Sequence, residues 1–132
     1  MTLSVPHTID TPIATIQRTA ADLVEVRFKS GATLTVAGIT AILQARQQAA
    51  DGVPMRVLIV FPQDEVDFEM SMITKDHYAA TPVQGFSRAI AWVTQNDHNE
   101  RFCQLYFAYF PSPVPSAIFS TEAEARQWLA DK

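Results

Sequence analysis

Serine, histidine and carboxylate side chains occur near one another in the chain, and these residue types carry nucleophilic and acid–base chemistry. The histidine–carboxylate neighbours are Asp76-His77 and Asp97-His98. Adjacent residues on a helix point in different directions, so neither pair is a ready-made catalytic dyad. Ser71 lacks the G-x-S-x-G turn that exposes a hydrolase nucleophile. No catalytic residue is therefore assigned, and a small hydrolase that uses Ser71 or His77 remains the weakest alternative.

Carboxylates recur at every second residue in the acidic stretch that contains Glu65, Asp67 and Glu69. On an extended segment these three side chains point the same way, and together with Asp64 they offer oxygen ligands for a divalent cation. The alternative is that these carboxylates form a solvent-exposed face, opposite the three apolar side chains that alternate with them along the segment. Because the glycine-containing loop of a calcium site is missing, we predict no metal.

Cys103 is the only cysteine, which excludes an intramolecular disulfide and a thiolate metal cage. It falls in the middle of a predicted helix, away from the helix N-terminus or cationic neighbour that lowers a thiol pKa. We interpret it as a small buried hydrophobe. The chain has four glycines and no phosphate-binding glycine loop. We therefore predict no cofactor.

The length and charge of the chain restrict its class and its partners. A chain of 132 residues with a net charge of −4 suits one globular domain, and its basic residues are scattered from Arg18 to Lys132. Nucleic acid and anionic membrane surfaces are therefore not expected as partners. Apolar stretches are shorter than the roughly 20 residues of a membrane helix, and residues 1–12 do not resemble a signal peptide. We predict a cytoplasmic protein with a flexible arm over 1–12 and a single domain over 13–132.

Hydrophobic periodicity predicts five strands. Val24, Val26 and Phe28 alternate with charged residues, which is typical of a strand with one wet face. The continuous apolar run RVLIVF is typical of a central strand covered on both faces. The predicted strands are 13–18, 23–28, 56–61, 87–95 and 117–119.

Capping residues predict the helix starts. Thr35 and Asn96 are candidate N-caps, and Thr121 with Glu124 has the spacing of a capping box. The predicted helices are 35–51, 72–80, 97–110 and 121–129. The resulting order, ββαβαβαβα, predicts an α/β fold with a mostly parallel sheet.

The helix predicted over 97–110 is apolar on an unusually wide arc. One stripe contains Phe102, Leu105, Tyr106 and Tyr109, and a neighbouring stripe contains Cys103, Phe107 and Phe110. A surface helix needs a single apolar face. Either both stripes pack within the monomer, or one of them meets a second copy of the chain or a small apolar ligand. The candidate interface or ligand residues are Phe102, Tyr106, Phe107, Tyr109 and Phe110.

The final strand–helix unit, PSAIFSTEAEARQWL, resembles the closing signature of small bacterial STAS-like (anti-sigma-factor-antagonist-like, or SpoIIAA-like) domains. The residues that carry the resemblance are Pro115, Ile118, Phe119, Thr121, Glu122, Glu124, Ala125, Trp128 and Leu129. The resemblance implies a mixed, mostly parallel sheet of about five strands with about four helices. Because these are packing and capping residues, they indicate a fold and carry little chemistry.

The resemblance also implies function through binding, to kinases, sigma-factor regulators, transporters or nucleotides. The serine that is phosphorylated in such domains corresponds to Ser71, although the glycine of that turn is missing here. Our leading hypothesis is a non-enzymatic regulatory or protein-binding domain that forms a homodimer. The alternative is a carrier of a small hydrophobic ligand or lipid, with a pocket between the helices predicted over 97–110 and 72–80.

Overall fold

The computed structural model describes residues 8–70 and 85–132 of the chain. The strands in these residues are β1 (Thr8–Asp10), β2 (Ala14–Ala20), β3 (Leu23–Phe28), β4 (Thr33–Leu34), β5 (Met55–Val60), β6 (Asp67–Phe68), β7 (Ser87–Val93) and β8 (Ser116–Phe119). The helices are α1 (Val36–Ala50), α2 (Asp97–Tyr109) and α3 (Glu122–Leu129).

A six-stranded sheet in the order β1-β2-β3-β5-β7-β8 forms the middle of the fold. The strands β3, β5, β7 and β8 are parallel, and β1 and β2 are antiparallel at one edge. The predicted α/β class, the mostly parallel sheet and all five predicted strands are confirmed. Three of the four predicted helices are also found, while the helix predicted over 72–80 lies outside the described residues.

The extra strand β1 corrects the prediction that residues 1–12 form a flexible arm. Thr8–Asp10 pairs antiparallel with β2, and Ile9 lies opposite Ile16 while packing against the core. The Lys29 ammonium lies 2.8 Å from the Asp10 carboxylate at the end of this strand. Three residues were too short a run for periodicity to mark as a strand. Residues 1–7 lie outside the described part.

Side chains alternate across the sheet and divide the core in two. In β5, Val57 and Ile59 pack with α1 and α2, whereas Leu58 and Val60 pack with α3 on the opposite face. All four are buried, as the period of a strand covered on both faces requires. The fold therefore has three layers, with α1 and α2 on one side of the sheet and α3 on the other.

The predicted helix caps are confirmed at all three starts. The side-chain oxygens of Thr35, Asn96 and Thr121 accept hydrogen bonds from the backbone N–H groups three residues later. At Thr121 the hydroxyl also donates to the Glu124 carboxylate at 3.0 Å. This bond replaces the reciprocal backbone bond of a capping box.

The face of β3 that was expected to be wet is partly covered by α3. Glu25 is only 8% exposed. Its carboxylate accepts hydrogen bonds from Arg27 at 2.7 Å and from Arg126 of α3 at 2.9 Å. Arg126 also donates to Glu122 one turn earlier in α3. The charged residues of this strand therefore form an ion-pair network that joins α3 to the sheet.

A second, two-stranded sheet lies beside the pocket described below. The strands β4 and β6 are parallel, with Thr33 opposite Asp67 and Leu34 opposite Phe68. The connector segment over residues 64–71 is predicted to be extended, and within its described part, 64–70, it contributes the short strand β6.

Candidate functional site

An apolar pocket lies between α2, the main sheet and β4. Its lining residues are Phe28, Leu34, Ile39, Phe61, Trp92, Phe102, Cys103, Tyr106 and Phe107. No lining residue carries a charge. The empty volume is about 370 Å³, part of which is open to solvent. Because this volume includes open solvent, the space enclosed between the side chains is much smaller.

Aromatic rings on the sheet side form a connected row. The ring centroids of Phe28 and Phe61 lie 4.9 Å apart, and those of Phe61 and Trp92 lie 6.1 Å apart. Trp92 then meets Phe107 of α2 edge to face, at 5.3 Å and 81°. Such distances and tilts are favourable for aromatic pairs. The pocket walls on this side are therefore held by ring-to-ring contacts.

The inward face of α2 takes residues from both predicted stripes. Asn99, Phe102, Cys103 and Tyr106 are buried, and their spacing of i, i+3, i+4 and i+7 defines one helical face. The predicted wide arc therefore combines a buried face with an exposed flank. Leu105 and the residues on its side belong to that flank.

The five predicted interface or ligand residues occupy different environments. Phe102 and Tyr106 are buried in the pocket wall, and Phe107 lines the same pocket while half-buried. Phe110 is half-buried with its ring 5.2 Å from that of Tyr106. Tyr109 is 62% exposed. The structure thus brings three of the five together in one pocket and leaves Tyr109 on the surface.

Asn99 fixes the chain segment that leads to β6, and sequence reasoning did not single it out. Its side chain is fully buried. The amide oxygen accepts from the Val66 N–H at 3.0 Å, and the amide nitrogen donates to the Asp64 carbonyl at 3.1 Å. The sequence did contain a signal for this role. Asn99 is a polar residue on the apolar arc of the helix, and a buried polar side chain requires hydrogen-bond partners.

Two neighbours of Asn99 strengthen this attachment. The Asn96 amide nitrogen donates to the Gln63 carbonyl at 2.9 Å while its oxygen caps α2. The His98 Nε2 atom lies 2.8 Å from the Val66 carbonyl oxygen. We call Asn96, His98 and Asn99 the α2 clamp. The clamp holds residues 63–66 against α2, and β6 follows directly beside β4 and the pocket.

Cys103 is buried, as predicted, and it also lines the pocket. Burial, together with the negative charge of Glu100, raises the pKa of the thiol to about 12. The sulfur is therefore protonated at neutral pH. It contributes a small, weakly polar group to the pocket wall and no nucleophile.

The residues weighed for catalysis or metal binding do not assemble a site within the described residues. Glu65, Asp67 and Glu69 are exposed, and the Asp64 carboxylate accepts from the Ser30 hydroxyl at 2.8 Å. No group of three potential ligands capable of holding a metal is found in residues 8–70 and 85–132. Ser71, Asp76 and His77 lie outside the described residues, so phosphorylation of Ser71 remains a prediction.

Residues 18–132 match a family model described as a domain of unknown function, DUF7793. The chain belongs to this family. The match includes every strand and helix that forms the pocket, from β3 to α2, as well as the C-terminal β8–α3 unit. The pocket is therefore a feature of the DUF7793 domain in this chain.

The fold of the DUF7793 domain is similar to a solved structure. That structure is an uncharacterized protein from the DUF3478 family with a SpoIIAA-like fold, from Shewanella loihica PV-4. The TM-score is 0.58 at 16% sequence identity, and the alignment covers 98% of both chains. The SpoIIAA-like fold implied by residues 115–129 is thus confirmed.

No curated protein sequence matches the chain significantly. Within the two described segments, every helix is too short or too polar to cross a bilayer.

Proposed function

We propose that this DUF7793 domain acts by binding, and that the pocket between α2 and the sheet holds a small apolar ligand. The observation that carries the proposal is the pocket itself, which is lined by nine side chains without a charge. Six of them are the aromatic rings of Phe28, Phe61, Trp92, Phe102, Tyr106 and Phe107. Concave, mostly apolar and aromatic surfaces of this kind are typical of small-molecule sites.

The size of the pocket limits the ligand and its affinity. A ligand the size of one aromatic ring buries roughly 150–250 Å² of apolar surface, which is worth about 4–6 kcal/mol in transfer free energy. The loss of translational and rotational freedom on association offsets much of this gain. We therefore expect weak, reversible binding of a ring-sized molecule or of one short apolar branch of a larger one.

Filling the pocket is expected to abolish this binding. Cys103→Leu adds carbon atoms at a buried lining position, in space that the ligand would occupy. Saturation-transfer NMR with ethylbenzene should give a signal with the wild-type protein and lose it with Cys103→Leu. The matched control is Leu105→Ala on the same helix, at a position 41% exposed and outside the lining.

The melting temperature shows whether the variant keeps its fold. Extra carbon atoms at a buried position typically cost about 1–3 kcal/mol, so the melting temperature of Cys103→Leu should fall by several degrees while unfolding stays cooperative. Ethylbenzene binding that persists unchanged in a folded Cys103→Leu protein contradicts the proposal. Native mass spectrometry of protein purified from its source adds an independent measurement of a retained apolar compound.

Protein binding is the second candidate function, and the exposed flank of α2 favours it. Leu105 and Tyr109 are 41% and 62% exposed, one helical turn apart. We propose a second copy of this chain as the occupant, because a patch on one helix pairs with itself about a two-fold axis. Stable interfaces bury about 1,200–2,000 Å², and two side chains contribute a small part of that area. The expected dimer is therefore weak.

Removing the exposed flank is expected to abolish self-association. Sedimentation equilibrium over a range of concentrations should show a rising mean mass for the wild type and a constant monomer mass for the Leu105→Ser, Tyr109→Ser double variant. Gln104→Ser, at an exposed neighbouring position, serves as the control. A wild-type protein that stays monomeric at the highest concentration excludes the homodimer. A regulatory protein partner remains a prediction that affinity capture tests.

A further inference from the structure

The indole N–H of Trp92 is a buried hydrogen-bond donor that finds no acceptor among residues 8–70 and 85–132. Trp92 lies on β7 and lines the pocket. Its Nε1 atom is closed to solvent, and no described residue accepts its proton. An indole nitrogen can only donate, and buried Trp residues usually place this group against a partner. The missing acceptor therefore calls for an explanation.

Two aromatic rings lie against the indole of Trp92. Trp92 packs between Phe61 and Phe107. Phe61 is 1% exposed in the core, whereas Phe107 is half-buried. Because the nitrogen is closed to solvent, a ligand atom reaches it only when a neighbouring side chain moves. Of these two neighbours, Phe107 has the more exposed side chain.

We propose that the ligand of this pocket carries a neutral hydrogen-bond acceptor, such as a carbonyl oxygen on a small apolar body, which the Trp92 N–H binds. The inference rests on the proposed ligand-binding function and specifies its ligand class. It joins two observations, an apolar pocket and an unpartnered donor on one of the residues that line it. A ligand with the acceptor pairs this donor, whereas an analogue without it leaves the buried N–H unpaired. The site therefore favours the ligand that carries the acceptor.

The acceptor is neutral because the lining offers no compensation for a charge. None of the nine lining residues is cationic, and an isolated carboxylate is expensive to bury in apolar surroundings. Ketones, aldehydes, esters and ethers are neutral and carry an oxygen that accepts a hydrogen bond. A purely hydrocarbon ligand would fill the pocket but leave the indole donor unpaired.

Acetophenone and ethylbenzene form a matched pair of probes, since they differ only in a carbonyl in place of a methylene group. A ketone is better hydrated than a hydrocarbon, so the informative quantity is the ratio of the two dissociation constants and its change between wild type and Trp92→Phe. Phenylalanine keeps an aromatic ring and removes the donor. The ratio is expected to shift roughly tenfold against acetophenone in the variant, which is the net worth of one hydrogen bond.

A second measurement uses the wild-type protein alone. The chain has two tryptophans, and Trp128 packs on the opposite face of the sheet. In ¹H–¹⁵N spectra, acetophenone should move the Trp92 indole N–H resonance downfield, while ethylbenzene should not, and the Trp128 resonance should stay in place. The Trp128→Phe variant assigns the two resonances even if Trp92→Phe does not fold.

The outcomes separate this inference from the function on which it rests. Suppose that both probes bind, but the affinity ratio is the same in wild type and Trp92→Phe and the Trp92 resonance does not move downfield. The proposed ligand-binding function then stands, and the inference that the ligand carries a hydrogen-bond acceptor is contradicted. If neither probe binds the wild-type protein, the proposed ligand-binding function fails and the acceptor fails with it. A downfield shift with acetophenone alone, together with the ratio change, supports both.

Discussion

Replacing Asn99 with alanine is expected to lower the free energy of unfolding by about 2–3 kcal/mol. The substitution removes a fully buried amide and leaves the Val66 N–H and the Asp64 carbonyl without their side-chain partner. Each buried polar group left unpaired costs about 1–3 kcal/mol. Chemical denaturation monitored by circular dichroism measures the change.

The control for this prediction lies on the same helix. Gln104 is exposed and its side chain donates to Glu100, so Gln104→Ala should change stability by less than about 0.5 kcal/mol. Equal effects of the Asn99→Ala and Gln104→Ala substitutions would mean that the α2 clamp contributes nothing specific. Asn99→Ala should also weaken ethylbenzene binding, because the clamp fixes the segment that leads to β6, beside the Leu34 wall of the pocket.

Replacing Glu25 with alanine is expected to cost about 2 kcal/mol. The Glu25 carboxylate accepts from Arg27, Arg126 and the Thr19 hydroxyl while it is nearly buried. Removing one partner of a buried ion pair costs about 3–5 kcal/mol. The side chains of Arg27 and Arg126 are 45% and 41% exposed, so solvent screening reduces this cost.

Asp10 provides the matched control for Glu25. Its ion pair with Lys29 has side-chain exposures of 71% and 40%, so Asp10→Ala should change the free energy of unfolding by 0 to about 1 kcal/mol. Both variants can be compared by urea denaturation at neutral pH. A Glu25→Ala protein as stable as Asp10→Ala would show that the link between α3 and the sheet carries little energy.

The same network makes stability depend on pH in the acidic range. Burial alone would raise the pKa of Glu25, but the hydrogen bonds from Arg27 and Arg126 outweigh it and hold this pKa below its ordinary value of 4.5. The hydrogen bond from Arg27 likewise lowers the pKa of Glu122. A carboxylate with a lowered folded pKa stabilises the fold above its unfolded value, and this contribution disappears as pH falls through the folded value.

We therefore expect the free energy of unfolding to fall as pH drops below about 4.5, with a shallower fall for Glu25→Gln. Glutamine keeps the size of the side chain and cannot titrate. Denaturation curves at several pH values measure the two slopes. Parallel slopes for wild type and Glu25→Gln would assign the acid sensitivity to other carboxylates.

Local features of the sequence predicted the secondary structure well. The caps at Thr35, Asn96 and Thr121 were identified because a capping side chain bonds within three residues of itself. The central strand β5 was identified because burial on both faces leaves a continuous apolar run. In each case the cause and the effect are neighbours in the chain.

Features that depend on distant partners were missed. Glu25 reads as a wet-face residue because its partner Arg126 is 101 residues away. The pairing of β4 with β6 involves two residues from each strand, which is too short for a periodic signal. The aromatic content of α2 indicated a candidate interface or ligand surface, with a pocket expected against the helix over 72–80, which lies outside the described residues. Nothing local indicates that Phe28 and Trp92 of the sheet meet α2.

A single tryptophan lies on each side of the main sheet. Trp92 lies in the core beneath α1 and α2, whereas Trp128 of α3 packs against Phe119 at 5.7 Å on the opposite face. Both cores share the same backbone strands, yet their side chains belong to separate clusters. Variants with one tryptophan each would therefore report the melting of each layer by its own fluorescence. Coincident transitions would show that the shared strands couple the layers into one cooperative unit, and separate ones would reveal sub-global opening on one face.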